Sequence, residues 1–122
     1  MHRSMMQVCV RGSNEAVAFY RNAFDASILC THFNLDGTIA HAELDIYGQI
    51  LAISEQAEEE PITGNTMMLC LHFGKGNEHI VRKIYDALNE NAKSISPLGA
   101  CEYSTLQAVL VDQFGVCWCI FV

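Results

Sequence analysis

The predicted order of helices and strands repeats once along the chain, and this repeat constrains the fold more than any single segment does. A strand over residues 5–11 is followed by a helix that Ser13 or Asn14 is expected to cap, and three strands come after it. The same order begins again at residue 66. Apolar residues recur at helical spacing in both predicted helices, and Val8-Cys9-Val10 aligns with Leu69-Cys70-Leu71. A repeat of this length predicts two copies of one βαβββ unit.

Two such units predict an α+β fold in which the strands form a cupped mixed sheet. Each unit has one helix, which can cover only one face of its sheet, so the other face must curl around something or pair with its sister. We expect a single domain over residues 1–122, with module one at about 1–55 and module two at 66–122. Residues 56–65 are acidic and contain Pro and Gly, which is typical of a linker.

A polar strand face in residues 38–54 is the first candidate site. This stretch reads as two strands joined by a tight turn at Tyr47-Gly48, and side chains alternate faces along a strand. His41 and Glu43 therefore share one face and should point into the cup. His41 could act as a general base that Glu43 orients, so both are candidate catalytic residues. The alternative is a hydrogen-bonded pair that fixes strand pairing or a dimer interface.

Composition excludes several classes of protein. The chain is 51% hydrophobic and 17% charged, with a formal charge of −7 and no basic stripe, so we expect no nucleic-acid partner. The apolar runs are too short to span a bilayer, and the first residues lack the apolar core of a signal peptide. We therefore expect a cytoplasmic protein that does not bind membranes.

Six cysteines occur without any C-x-x-C pair. In a cytosolic chain, such residues are usually small buried hydrophobes with free thiols, and this is the expectation here. The alternative is a zinc site that uses Cys117 and Cys119 with distant partners.

Three stretches in order resemble the glyoxalase/bleomycin-resistance/dioxygenase superfamily, also called vicinal oxygen chelate proteins, and in particular its PhnB-like branch. They are N-E-A-V-A-F-Y-R-N-A-F at 14–24, I-A-H-A-E-L-D-I-Y-G with L-A-I-S-E at 39–55, and D-Q-F-G-V-C-W at 112–118. The resemblance implies paired βαβββ modules, often a homodimer, and a pocket in the cupped sheet for a small molecule.

The chain departs from the metal-using members of that superfamily. Their ligand positions, on the first and last strands of each module, fall near Met5, Ala52, Thr66 and Cys119, and a slip in register would bring in Gln7 or Glu55. Met, Ala and Thr cannot form the ligand set of a divalent metal, so we expect no metal and no cofactor. A glycine-rich loop for an S-adenosyl donor is also missing. The alternatives are a metal-dependent lyase or dioxygenase with shifted ligands and a sequestering resistance protein without catalysis.

Four residues of module two are further candidates for ligand contact. Tyr103 stands where PhnB-like sequences commonly have Trp, and Ser104 stands where they have Gly, so Tyr103 is predicted to line the pocket. Cys119 falls at a superfamily ligand position and is predicted to face the cavity. His72 ends the fifth strand, where the alternative is a solvent-facing strand end. Trp118 is a candidate ligand contact, with a core or dimer-interface aromatic as the alternative.

Overall fold

The computed structural model describes residues 1–122, which form two compact units, Met1–Ile62 and Thr63–Val122. The first unit contains β1 (Met6–Val10), α1 (Ser13–Phe24), β2 (Ser27–Phe33), β3 (Ile39–Ile46) and β4 (Gln49–Glu55). The second contains β5 (Leu69–His72), α2 (Glu78–Leu88), β6 (Lys93–Gly99), β7 (Gln107–Val111) and β8 (Cys117–Phe121). The predicted α+β fold of two βαβββ modules is confirmed. The assignment of residues 1–122 to one domain stays a prediction.

Both units have the same sheet topology. The strand order is β1-β4-β3-β2 in the first sheet and β5-β8-β7-β6 in the second. The pairs β1–β4 and β5–β8 are parallel, whereas all other neighbours are antiparallel. Each helix therefore connects the two edge strands of its own sheet, β1 to β2 in the first unit and β5 to β6 in the second. The internal repeat in the sequence corresponds to this repeated topology.

The core of each unit lies between its helix and one face of its sheet. In the first unit, α1 packs on β3 and β4, and Tyr20 and Phe24 are almost fully buried against the apolar face that contains Leu44. In the second unit, α2 packs on β8, and Ile84 is buried with Trp118. Full burial of one large aliphatic side chain stabilises a fold by about 2 kcal/mol. Neither helix is long and apolar enough to cross a lipid bilayer.

Two hairpins position β3, the strand with the candidate site. The predicted turn at Tyr47-Gly48 joins β3 to β4, and both residues have positive φ angles of 56° and 90°, as a type I′ turn requires. The sequence predicts that the preceding strand runs over 27–35, and this is wrong at its end, because β2 ends at Phe33. The chain turns earlier there, where the amide of Gly37 donates to the carbonyl of Asn34 at 3.1 Å.

The start of α1 also differs from the prediction. Neither Ser13 nor Asn14 caps the helix with its side chain, because the N-cap residue is Gly12, in the left-handed region. The carboxylate of Glu55, at the end of β4, accepts hydrogen bonds from the amides of Gly12 and Ser13 and from the Ser13 hydroxyl. A side chain more than 40 residues away therefore satisfies the first amides of this helix.

In the second sheet, the sequence predicts a short strand over 93–97 that ends at Pro97, and this is wrong, because β6 continues through Pro97 to Gly99. Proline cannot donate a hydrogen bond to a neighbouring strand, but β6 lies at the edge of the sheet and pairs on one side only. Its register with β7 shifts between Ser94 and Ser96 and again between Ser96 and Gly99. The proline is accommodated by this irregular edge.

Candidate functional site

The polar face of β3 carries His41 and Glu43 side by side. The Nε2 atom of His41 lies 2.9 Å from the Oε1 atom of Glu43. The Glu43 side chain is 7% exposed, whereas the His41 side chain is 32% exposed. Side chains along β3 alternate between the two faces of the sheet. Ala42 and Leu44 point toward the helix and are fully buried, so His41 and Glu43 share the opposite face. The predicted pair is thus brought together, with the imidazole as its more accessible member.

Arg3 is part of this cluster and was missed in the sequence. Its Nη1 and Nη2 atoms donate to Oε2 and Oε1 of Glu43, each at 2.8 Å. These hydrogen bonds, followed by the contact with His41, lower the pKa of Glu43 to about 2, although burial opposes the shift. Glu43 is therefore a carboxylate at any ordinary pH. It can accept hydrogen bonds and hold His41 in place, but it cannot serve as a general acid near neutral pH.

Cys30 on β2 was also missed. It lies directly opposite Glu43, just after an irregularity in the pairing of β2 with β3 between Ile28 and Cys30. The thiol of Cys30, an imidazole nitrogen of His41 and a carboxylate oxygen of Glu43 all lie within 4.8 Å of one another. The site on the first sheet therefore contains a thiol, an imidazole, a carboxylate and a guanidinium.

Two predicted candidates in the second unit gather around Phe121. The His72 ring stacks on Phe121 with a centroid separation of 4.5 Å, and the Tyr103 ring meets it edge-on at 5.3 Å. Tyr103 lies between β6 and β7 and is 63% exposed. These two rings are accessible for contact, and their role in ligand binding stays a prediction.

Ser104 explains how this loop is held. Its hydroxyl donates toward the carbonyls of Val122 at 2.6 Å and Leu106 at 2.9 Å, and the residue is buried. A glycine here could not make these contacts. The serine ties the loop that carries Tyr103 to the end of the last strand.

Cys119 and Trp118 lie on opposite faces of β8. Cys119 is opposite Cys70 on β5, and the Gln107 amide is 3.9 Å from its sulfur. Burial and the neighbouring Cys119 raise the pKa of the Cys70 thiol, which disfavours a nucleophilic thiolate at neutral pH. Trp118 is fully buried on the helix side, and its indole N–H donates to Asp112 at 2.8 Å. Its burial fits the core alternative, and ligand contact by Trp118 or Cys119 stays a prediction.

The prediction that the cysteines are small buried residues is wrong for several of them. All six thiols are free, but Cys9 and Cys70 are exposed and only Cys119 is buried. The exposed pair lies on β1 and β5, on the sheet faces that the helices leave uncovered. The apolar neighbours that suggested burial point to the other face of the same strands.

The superfamily metal positions of the first unit do not fit a metal ion. Ala52 has no ligand atom, and Gln7, directly opposite it, donates its amide to Ser54 at 3.0 Å. Glu55 is engaged by the start of α1. Met5 lies before β1. In the second unit, Thr66 lies before β5 and has only a hydroxyl oxygen, so Cys119 is the one strong ligand among these positions.

Comparison with solved structures identifies the class of fold. A PhnB protein from Bacillus cereus, described as a 3-demethylubiquinone-9 3-methyltransferase, is 21% identical, with a TM-score of 0.84 over 98% of each chain. A FosX fosfomycin-resistance mutant from Listeria monocytogenes, complexed with Mn(II) and 1S,2S-dihydroxypropylphosphonic acid, is 15% identical, with a TM-score of 0.67 over 98% of this chain and 90% of that one. A glyoxalase-related enzyme from Fulvimarina pelagi is 13% identical, with a TM-score of 0.69 over 99% of this chain and 88% of that one.

These likenesses establish that the chain has the fold of the glyoxalase/bleomycin-resistance superfamily, as its sequence predicted. The similarity to the PhnB protein extends over almost the whole of both chains. No protein-family model and no curated protein sequence matches the chain. The comparisons therefore describe the architecture, and the chemistry must be argued from the residues of the site.

Proposed function

We propose that this chain is a PhnB-like small-molecule-binding protein whose ligand is held on the polar face of the first sheet without a divalent ion. The observation that carries the proposal is the cluster of Arg3, His41 and Glu43. Glu43 is almost buried, ionised and held by two donors from Arg3, so it forms a fixed anchor for its neighbours. His41 is one-third exposed and presents its remaining surface to a ligand.

The exposed groups of this cluster suit a small oxyanion. Two N–H groups of Arg3 donate to Glu43, and a guanidinium has three more. The Arg3 side chain is 47% exposed, so these donors are accessible. Guanidinium groups recognise carboxylates and phosphates through such donors. The phosphonic acid in the FosX complex is a molecule of this class, which supports a small carboxylate or phosphonate as the ligand here.

In this proposal His41 is a ligand contact and Glu43 is the residue that positions it. Tyr103 and His72, whose rings contact Phe121 in the second unit, stay predicted ligand contacts. The function is binding without turnover. A chemical step with His41 as general base would appear as loss of the compound after incubation with the protein, measured separately by chromatography.

The proposal is tested by thermal unfolding with a panel of small carboxylic and phosphonic acids, in buffer that contains a chelator. We expect at least one compound to raise the Tm, because binding to the native state stabilises it by mass action. His41→Ala should abolish the rise, whereas His79→Ala, which removes an exposed imidazole on α2, should keep it. A rise seen only with added divalent metal, or one equal in both variants, would overturn the proposal.

We also propose that the protein acts in the cytoplasm as a homodimer. Six free thiols, two of them exposed, suit a reducing compartment. The superfamily resemblance supports the dimer.

A further inference from the structure

Three potential metal ligands of different chemistry converge on β2, at the edge of the first sheet, and on its neighbour β3. Cys30 on β2 faces Glu43 on β3 across the ladder, and His41 precedes Glu43 by two residues on the same face. Their ligand atoms lie within 4.8 Å of one another, and those of His41 and Glu43 are 2.9 Å apart. In a tetrahedral zinc site with bonds of about 2.0–2.3 Å, neighbouring ligand atoms are roughly 3.3–3.8 Å apart. Small side-chain rotations would therefore place all three on one ion.

A cation already occupies one side of this cluster. The guanidinium of Arg3 binds both oxygens of Glu43, a carboxylate that is almost buried and therefore needs a positive partner. Arg3 comes from the segment before β1, and nearly half of its side chain is exposed. An exposed arginine loses little when it returns to water. A metal ion can therefore take the place of Arg3 as the positive partner of Glu43.

We propose that Cys30, His41 and Glu43 bind one divalent cation of the zinc type, which displaces Arg3 from Glu43. Sulfur, nitrogen and oxygen together form a borderline-soft ligand set that suits Zn²⁺ or Co²⁺ and disfavours Mg²⁺ and Ca²⁺. Three protein ligands leave a fourth position open for water or an added anion. Binding releases the thiol proton of Cys30, because the thiolate is the ligand.

This site differs from the positions that the superfamily uses, since it lies on β2 and β3 and not on the first and last strands of the module. It also goes beyond the proposed function, which belongs to the ion-free chain, where Arg3 holds Glu43. A bound cation would release Arg3 and occupy His41 and Glu43, so the two proposals describe two mutually exclusive states of one site. The two can fail separately. Ligand binding is measured with a chelator present, and the cation site is measured with no organic ligand.

The test is a titration of the full chain with Co²⁺ under reducing, oxygen-free conditions, followed by absorbance. We expect one equivalent of Co²⁺ to bind per chain and to give a thiolate-to-cobalt charge-transfer band and tetrahedral d–d bands. Added Zn²⁺ should displace the Co²⁺ and remove both sets of bands. Cys30→Ser should lose the charge-transfer band. Cys9→Ser is the matched control, since it removes an exposed thiol of the same unit outside the cluster, and it should keep the band.

Two further variants separate a real site from weak binding by the other thiols. Arg3→Met should tighten Co²⁺ binding by roughly fivefold, the size expected when one exposed ion pair no longer competes. His41→Ala should weaken it by about tenfold or more. The proposal is overturned if Arg3→Met binds no more tightly than the natural chain, or if Cys30→Ser keeps the band. Circular dichroism of each variant checks that the fold is intact.

Discussion

The carboxylate of Asp112 accepts three hydrogen bonds at the turn between β7 and β8. Its Oδ1 accepts from the amides of Phe114 and Val116, and its Oδ2 accepts from the indole of Trp118. The residue is 4% exposed, so these donors would be left unpaired if the carboxylate were removed. The stretch D-Q-F-G-V-C-W, which carried part of the family resemblance, is therefore a turn stabilised by its first residue.

Asp112→Ala should lower the free energy of unfolding by about 3 kcal/mol, because two part-buried amides and a buried indole lose a charged acceptor. Urea unfolding at pH 7 measures this. Asp86→Ala, which removes an exposed carboxylate on α2, should change stability by less than about 0.5 kcal/mol. Equal effects in the two variants would mean that the Asp112 bonds contribute nothing to stability.

Residues of the candidate site differed in how predictable they were. His41 and Glu43 could be found because two polar residues interrupt an apolar strand with period two. For Cys30, a two-residue turn at Asp36-Gly37 would predict the correct partner, Glu43, but for the wrong reason. In the structure Asn34 pairs with Thr38, and a shift in register between His32 and Phe33 restores the pairing of Cys30 with Glu43. Arg3 had no signal in the sequence. It reaches Glu43 across 40 positions, and only the completed fold brings them together.

For the secondary-structure elements, local patterns predicted which helices and strands exist, and long-range contacts decided how they begin and end. The start of α1 depends on Glu55 from β4, which the helix sequence cannot reveal. The end of β6 depends on its place at the sheet edge, which allows Pro97 inside a strand. Propensities describe the residue and its neighbours, whereas both of these boundaries are set by partners from elsewhere.

Glu55→Gln tests the capping role of Glu55. Hydrogen bonds from Ser13 and Gly12 lower the pKa of Glu55, and burial opposes them only in part. Because the folded-state pKa is depressed, the stabilisation is present above the unfolded-state pKa and is lost as the pH falls through the folded-state value. We expect the variant to be less stable than the natural chain by about 1 kcal/mol at pH 7. The difference should shrink at acidic pH below 4.5, the ordinary pKa of the group.

Urea unfolding at a series of pH values measures that difference. Glu60→Gln is the control, since Glu60 is exposed in the acidic segment after β4. It should leave stability nearly unchanged at every pH. A Glu55→Gln effect that is independent of pH would argue against a contribution from the ionised carboxylate.

For the whole molecule, the repeat was the most informative part of the sequence, because it predicted two modules with the same topology. It could not predict which surfaces remain to be covered. The structure shows that β2 is a seven-residue strand at the edge of the first sheet, with exposed Ile28, Leu29 and Phe33. Long apolar edge strands are sites of strand pairing between chains. This edge supports the proposed homodimer, with β2 of two chains as its interface.

Phe33→Lys should therefore weaken self-association. Phe33 is 64% exposed on the edge strand, and a charge there would have to be buried or placed beside its equivalent in the second chain.

Leu35→Lys is the matched control, because Leu35 is fully exposed beyond the end of β2 and should not affect pairing of the strand. Analytical ultracentrifugation should show the mass of two chains for the natural protein and the control. Phe33→Lys should shift toward the mass of one chain. Its dimer dissociation constant should rise by about tenfold or more, because an interface anchor is lost. A natural protein that sediments as a monomer at all concentrations would refute the dimer, and an unchanged Phe33→Lys dimer would place its interface elsewhere.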